Sequence, residues 1–181
     1  LSRIKFLSET IGIKKQKQQP IEEDVIKIRE YAHEMIDKMG EIVWALNERN
    51  DSLNDLLAFT RAYTIEYLTQ NGINCEVDLP DQPVQQFVSG EFRRNIFLSV
   101  KEILHNIIKH AGAKNVLVTI KTGERLFISI KDDGCGIDYE DVKPFRNGLT
   151  NISKRMQDIG GKYEIKSESG TLVKLSAPLN S

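Results

Sequence analysis

Residues 97–111 constrain the fold more than any other stretch, because they read as one helix with two chemically opposite faces. At about 100° per residue, Phe97, Val100, Leu104, Ile107, Ile108 and Ala111 fall on one side, and Glu102, Asn106, Lys109 and His110 on the other. The apolar set has the spacing of a helix laid on a core. Glu102, Asn106 and His110 follow one another at four-residue steps, so they stack on one face. A solvated face favours Lys–Glu pairs. Here an amide stands between a carboxylate and two basic groups. That set suits a hard cation beside a phosphate chain, with Asn106 as a neutral oxygen ligand and Lys109 and His110 as phosphate partners. An ordinary solvated helix could present the same face, so other stretches must decide.

Three stretches do so. Asp132-Asp133-Gly134-Cys135-Gly136-Ile137 follows a strand-like run, Leu126-Phe127-Ile128-Ser129-Ile130. Asn147-Gly148-Leu149-Thr150-Asn151-Ile152 opens another helix, and Gly170-Thr171 lies in a hairpin-like end. An Asp at a strand end can accept a hydrogen bond from an adenine amino group. Gly134 and Gly136 permit positive φ and close backbone approach to a base. Gly148 and Leu149 open a helix, where free N–H groups favour phosphate. Each feature alone also describes a plain turn or cap.

Asn on a helix, then Asp-x-Gly-x-Gly, then Gly-Leu before a helix, then Gly-Thr, in this order, resembles the nucleotide site of sensor histidine kinases. These belong to the ATPase superfamily shared with gyrase, heat-shock chaperones and mismatch-repair proteins. The resemblance covers about 89–179: 101–111 looks like the family's N box, 132–137 like its first glycine box and 147–152 like its second. It implies ATP and Mg²⁺ as cofactors, with Asn106 holding the metal. Glu102 matches a family position near the metal, so the resemblance gives Glu102 and Asn106 the catalytic roles. The implied ATP-binding set is Asn106, Lys109, His110, Asp132, Gly134, Gly136, Ile137, Arg146, Gly148, Leu149 and Thr171. Thr171 matches a residue that supports the adenine-binding Asp through its hydroxyl and a water. The family commonly has Gly two positions before Gly148. Arg146 stands there instead, which stiffens the loop, supplies a cation to the triphosphate, or simply points into solvent.

The expected fold class is α+β: an N-terminal helical dimerisation segment, 1–50, followed by an ATP-binding α/β sandwich, 51–181. The resemblance implies a Bergerat-type fold for the latter, a mixed and mostly antiparallel sheet with helices on one face. A first helix is expected to end near Thr10, interrupted by Gly12 and the Lys/Gln run to Pro20. From Ile21, the residues Val25, Ile28, Ala32, Met35, Met39, Ile42 and Leu46 alternate three- and four-residue steps, the seam of a coiled coil or bundle. A homodimer through that seam is the expected assembly. Residues 47–51 read as a hinge, and a further helix runs from Leu53 to about Asn71-Gly72. Strands are expected at 73–79, 115–121, 125–131, 162–167 and 171–177. Helices are expected from Ser89 to about Ala111 and from Gly148 to about Ile159. Residues 138–146 are a short polar loop with Pro144, and the interval 138–147 is short for an ATP lid.

Bulk properties narrow the partners. With 181 residues, 25 basic and 26 acidic, and a net charge of −1, the chain gives no reason to expect nucleic acid or an anionic membrane. No apolar run approaches the roughly 20 residues of a membrane helix. Cys75 and Cys135 match no disulfide or metal framework and fit a reducing cytosol, so a cytoplasmic location is expected. The sequence opens at Leu1 without Met and reads as part of something longer. The resemblance adds a response regulator receiver domain as partner. It also implies a phosphoacceptor His on the first bundle helix, before Leu1, because residues 2–9 look like the part just beyond it. His33-Glu34 has a His followed by an acid, but it sits on the second helix. The competing readings are a serine kinase or ATPase of the same superfamily, such as an anti-sigma factor, and a non-catalytic dimer module.

Overall fold

The computed structural model describes residues 2–46, 51–80, 86–137, 146–167 and 169–179. The hinge expected at 47–51 and the short lid expected at 138–147 fall mostly outside them. So do the side chains of the seam residues Ile42 and Leu46, and those of His33 and Arg146. The chain divides into two compact units, Leu1–Ala45 and Leu46–Ser181.

The first unit is a helical hairpin, α1 (Ser2–Gln16) and α2 (Glu22–Leu46). Arg3 lies over the Tyr31 ring at 5.7 Å, and the Lys14 ammonium bonds the buried Asp24 carboxylate, so the two helices run antiparallel. Gly12 does not end α1, contrary to the expectation from sequence. A glycine in a helix costs about 1 kcal/mol relative to alanine, and packing along the hairpin outweighs it. Of the expected seam, Ile28, Ala32 and Met35 are half-buried, whereas Val25 and Met39 remain 49% and 62% exposed.

The second unit is built on a five-stranded sheet of order β1-β2-β3-β5-β4, comprising β1 (Asn74–Asp78), β2 (Asn115–Lys121), β3 (Arg125–Asp132), β4 (Lys162–Ser167) and β5 (Thr171–Pro178). Only β1 and β2 are parallel; the other neighbours are antiparallel. Three helices, α3 (Leu53–Gln70), α4 (Gly90–Asn106) and α5 (Arg146–Asp158), complete the unit. Ser52 and Ser89 cap the first two, accepting from the N–H groups of Asp55 and Phe92 at 3.1 Å each.

Strand alternation decides which face is covered. Val116, Val118 and Ile120 on β2, Leu126, Ile128 and Ile130 on β3, and Val173, Leu175 and Ala177 on β5 are all buried. They meet Leu53, Leu56 and Leu68 of α3, Phe97, Val100 and Leu104 of α4, and Ile152 and Met156 of α5, all equally buried. The opposite face carries the exposed Leu117 and Phe127 among polar residues. Helices thus lie on one face of a mixed sheet, as the sequence pattern predicts. Period two also puts Asp132 on the buried side, two residues beyond Ile130 and only 3% exposed.

The organising helix differs from expectation in its last turn. Residues Ile107–Ala111 form a π-helical turn rather than the end of a regular α-helix. The wider turn holds one more residue than an α-turn. The Ala111 carbonyl, at the end of the turn and so without a helical partner, accepts from the Cys135 N–H at 2.9 Å, and Gly112 follows at φ 60°.

Asp133 ties the end of β3 to the start of β2. Its Oδ1 accepts from the N–H groups of Lys114 (2.8 Å) and Asn115 (2.9 Å), and its Oδ2 accepts from Asn115 Nδ2 (2.7 Å). Those bonds, Asn115's first, pull the carboxyl pKa down to about 2. Because the folded pKa lies below the unfolded one, the stability it contributes is present at neutral pH and is lost as pH falls from about 4 toward 2. Carbon NMR of the Asp133 carboxyl should titrate near the lower end of that window. The thermal midpoints of wild type and Asp133→Asn should converge as the pH reaches it. In the core, Leu104→Ala removes a side chain with no exposed surface and should cost about 2–5 kcal/mol, measured by urea unfolding followed by circular dichroism.

Candidate functional site

A pocket lies where α4, the π-turn, the loop after β3, α5 and the inner faces of β4 and β5 converge. Its lining combines Asn106 and His110 with Asp132, Gly136, Ile137, Leu149 and Thr171. All seven are among the residues that the sequence pattern singles out. Apolar walls come from Ile103, Ile107, Ala111, Ile152, Ile165 and Val173, with Tyr163 beside them. A mostly hydrocarbon cavity with a few convergent polar groups is the usual form of a small-molecule site.

Among the described residues, Asp132 is the only carboxylate in that lining. Its Oδ1 accepts from the N–H of Gly134 at 2.9 Å and from the N–H of Thr171 at 3.2 Å. No donor among the described residues reaches Oδ2. Thr171 therefore meets the carboxylate directly through its backbone, a contact that its hydroxyl alone would not have suggested. Gly170, at φ 109°, is what lets the chain pass there, since a Cβ would collide with the Asp132 carbonyl oxygen.

Gly134 and Gly136 do different jobs. Gly136 has φ 78° and lines the pocket. Gly134 has no positive φ and does not line it; a Cβ there would run into the Ala111 carbonyl oxygen and Cβ. Its close approach is to the π-turn, and of the two glycines only Gly136 has the positive φ expected of both. The loop is pressed onto the π-turn, and the Cys135 bond to Ala111 locks it there.

The polar face of α4 meets the first turn of α5. A Cβ on Gly148 would overlap Glu102 Oε1 and approach Asn106 Nδ2 to 3.5 Å. The carboxylate and the amide therefore both reach the helix opening, where unpaired N–H groups gather. Glu102, Gly148 and Asn106 form one cluster beside the pocket, and of these only Asn106 also lines it. Lys109 is exposed and lies off the lining. The neighbouring His105 turns instead toward α3, its Nδ1 at 3.1 Å from the Tyr67 hydroxyl. Burial, and then Lys109, hold the His105 pKa below its usual value.

Sequence reasoning missed the walls supplied by β4. Tyr163 and Ile165 alternate with Glu164 on one face of that strand, and Ser167 continues the same parity. Strand alternation could have found all three. Among the described residues no three His, Cys, Asp or Glu side chains form a metal cluster. No helix among them is long and apolar enough to cross a membrane.

Residues 93–181 match the family described as histidine kinase-, DNA gyrase B-, and HSP90-like ATPases. The chain is 30% identical over 143 residues to sensor histidine kinase YdfH of Bacillus subtilis, covering 76% of this chain and 32% of YdfH. It is 37% identical over 82 residues to the DNA mismatch repair protein MutL of Clostridium acetobutylicum, covering 45% of this chain and 13% of MutL. Among solved structures it resembles the histidine kinase domain of the blue-light activated histidine kinase EL346 of Erythrobacter litoralis. The TM-score is 0.63 at 18% identity, over 99% of this chain and 95% of that one, a likeness of fold. The chain spans about a third or less of the length of these curated relatives. Pocket, sheet and sequence similarity agree, and through residues 93–181 the chain belongs to this ATPase family, as an ATP-binding catalytic domain of the histidine kinase kind.

Proposed function

We propose that this chain is the kinase core of a two-component sensor: it binds Mg·ATP and passes the γ-phosphoryl group to a histidine. The observation that carries the reading is Asp132, an acceptor fixed by two N–H groups at the end of an apolar pocket. Its Oδ2 is positioned to accept from an exocyclic amino group. Adenine offers that donor, whereas guanine offers a carbonyl at the corresponding edge. Gly136, Ile137 and Leu149 would flank the base, and Thr171 would keep the carboxylate aimed.

The triphosphate would extend toward the cluster of Glu102, Asn106 and Gly148 at the opening of α5, where free N–H groups favour anionic oxygen. His110 in the pocket wall, Lys109 beside it and Arg146 at the start of α5 are the candidate cations. The donor set fits Mg²⁺: one amide oxygen from Asn106, with phosphate oxygens and water completing a hard, oxygen-rich shell. Bound there, Mg²⁺ supplies neutralisation of phosphate charge. Glu102, within reach of the same opening, would orient a water of that shell.

Transfer would break the bond between the γ-phosphorus and the β,γ-bridging oxygen and form a phosphorus–nitrogen bond on an imidazole, with ADP leaving. The protein's contribution is positioning and charge stabilisation. His105 and His110 are ill placed to accept, the first held against Tyr67 and the second built into the pocket wall. The acceptor is assigned to a helix preceding Leu1 in a longer protein, with the phosphoryl group then moving to a response regulator receiver domain. Val25 and Met39, left exposed on α2, support self-association along Val25, Ile28, Ala32, Met35, Met39, Ile42 and Leu46. A cytoplasmic location accompanies the reading.

Asn106→Ala should weaken Mg·ATP binding by roughly 1.5–3 kcal/mol, on the order of 10- to 100-fold, in isothermal calorimetry. Unchanged affinity would remove Asn106 from the site. The kinase reading is tested with γ-labelled ATP on this chain and on a longer one that restores the preceding helix. Acid-labile, base-stable label should appear only on the longer chain. Label on the 181-residue chain that vanishes in His33→Gln would relocate the acceptor. Acid-stable label would favour a serine kinase, and absence of nucleotide binding a non-catalytic dimer module.

A further inference from the structure

The loop that carries Gly136 and Ile137 leaves β3 without entering another strand, and the N–H groups of Asp133, Gly134, Cys135 and Ile137 are each satisfied by a different acceptor. Asp133 N–H donates to the Asn115 carbonyl of β2 at 3.2 Å, and Gly134 N–H to the Asp132 carboxylate at 2.9 Å. Cys135 N–H donates to the Ala111 carbonyl of the π-turn at 2.9 Å. Ile137 N–H donates to the hydroxyl of Ser167, at 2.8 Å. That last acceptor is a side chain at the end of the sheet's edge strand, β4. It touches the loop twice, because a Cβ on Gly136 would lie 2.5 Å from Ser167 Oγ. Ser167 itself does not line the pocket, whereas Gly136 and Ile137, the two residues it holds, both do.

We infer that Ser167 is a positioning residue for nucleotide binding: its hydroxyl fixes the Gly136–Ile137 corner against the base end of the pocket. The inference rests on the ATP reading above. The other three tethers act at Asp133, Gly134 and Cys135, before the corner, so without Ser167 nothing among the described residues holds the Ile137 N–H. The corner follows Asp132 closely in the chain, whereas the Glu102–Asn106–Gly148 cluster lies at the opening of α5. Ser167 should therefore act on the base and not on the phosphates, and ATP and ADP should suffer alike when it is lost.

The test compares Ser167→Ala with Ser167→Thr, which keeps the hydroxyl, in the 181-residue chain. Amide hydrogen exchange at Ile137, calorimetric affinity for ATP and ADP, and the thermal midpoint are the readouts. In Ser167→Ala the Ile137 amide should exchange faster, and both nucleotides should bind about 3- to 10-fold more weakly with the midpoint little changed. Ser167→Thr should recover most of the affinity. A folded Ser167→Ala with native ATP affinity, or with native Ile137 exchange, overturns the inference, as does a Thr variant no better than Ala. If the alanine variant fails to fold, Ser167→Val against Ser167→Thr repeats the comparison at constant side-chain shape. Should the wild-type chain bind neither nucleotide, the ATP reading falls and takes this one with it, an outcome distinct from binding that ignores Ser167.

Discussion

A carboxylate at the end of a hydrocarbon column is the arrangement on which the rest of this structure depends. Removing an ionised group from water without compensation costs several kcal/mol, roughly. At Asp132 the compensation is local and directional. Two N–H groups point at Oδ1, one from the loop that follows and one from the strand that pairs alongside. Both donors depend on glycines: the first is Gly134's own N–H, and Gly170 precedes the second. Gly134 lets the loop turn back onto the π-turn, and Gly170 lets β5 start hard against the Asp132 carbonyl. The polar end of the site is thus part of the sheet's construction, not an addition to a finished core.

Much of this is legible from alternation and spacing. The run Leu126, Ile128, Ile130, Asp132 has a period of two, which by itself places the acid on the covered face. Glu102, Asn106 and Gly148 stand out one at a time in the sequence, and the folded chain brings all three to one place. What stays hidden has physical causes. The π-turn is packed against a loop more than twenty positions later, through the Cys135–Ala111 hydrogen bond, and no local pattern announces it. Gly134 reads from sequence as a residue of unusual backbone angle, yet it is required by proximity, which only the folded chain reveals. Gly12 reads as a helix end because propensity ignores the partner helix. Ser167 belongs to a strand whose half-buried pattern resembles an edge and nothing more.

The apolar walls matter as much as the polar groups. Ile103, Ile107 and Ile152 belong to the same core that joins helices and sheet. A substitution there changes pocket shape and stability together, so the two effects are coupled at those positions and separable at Asn106 or Ser167. That separation distinguishes residues that build the cavity from residues set at its polar edge or behind its corner.

The bond from Thr171 to Asp132 joins the two hairpins of the sheet. The hairpin of β2 and β3 closes through a turn of a few residues, and so does that of β4 and β5. Each can pair at small cost in chain entropy. The join between β3 and β5 spans the whole of α5 and carries the larger loop-closure cost. Asp132 arrives with the first hairpin and its second donor with the other. A chain that has formed both hairpins but not joined them holds nearly all its secondary structure and no complete site. Completion of the Asp132 site is then a report on closure of the sheet, and any ligand that needs Asp132 fully oriented would favour the closed form over every partly assembled one.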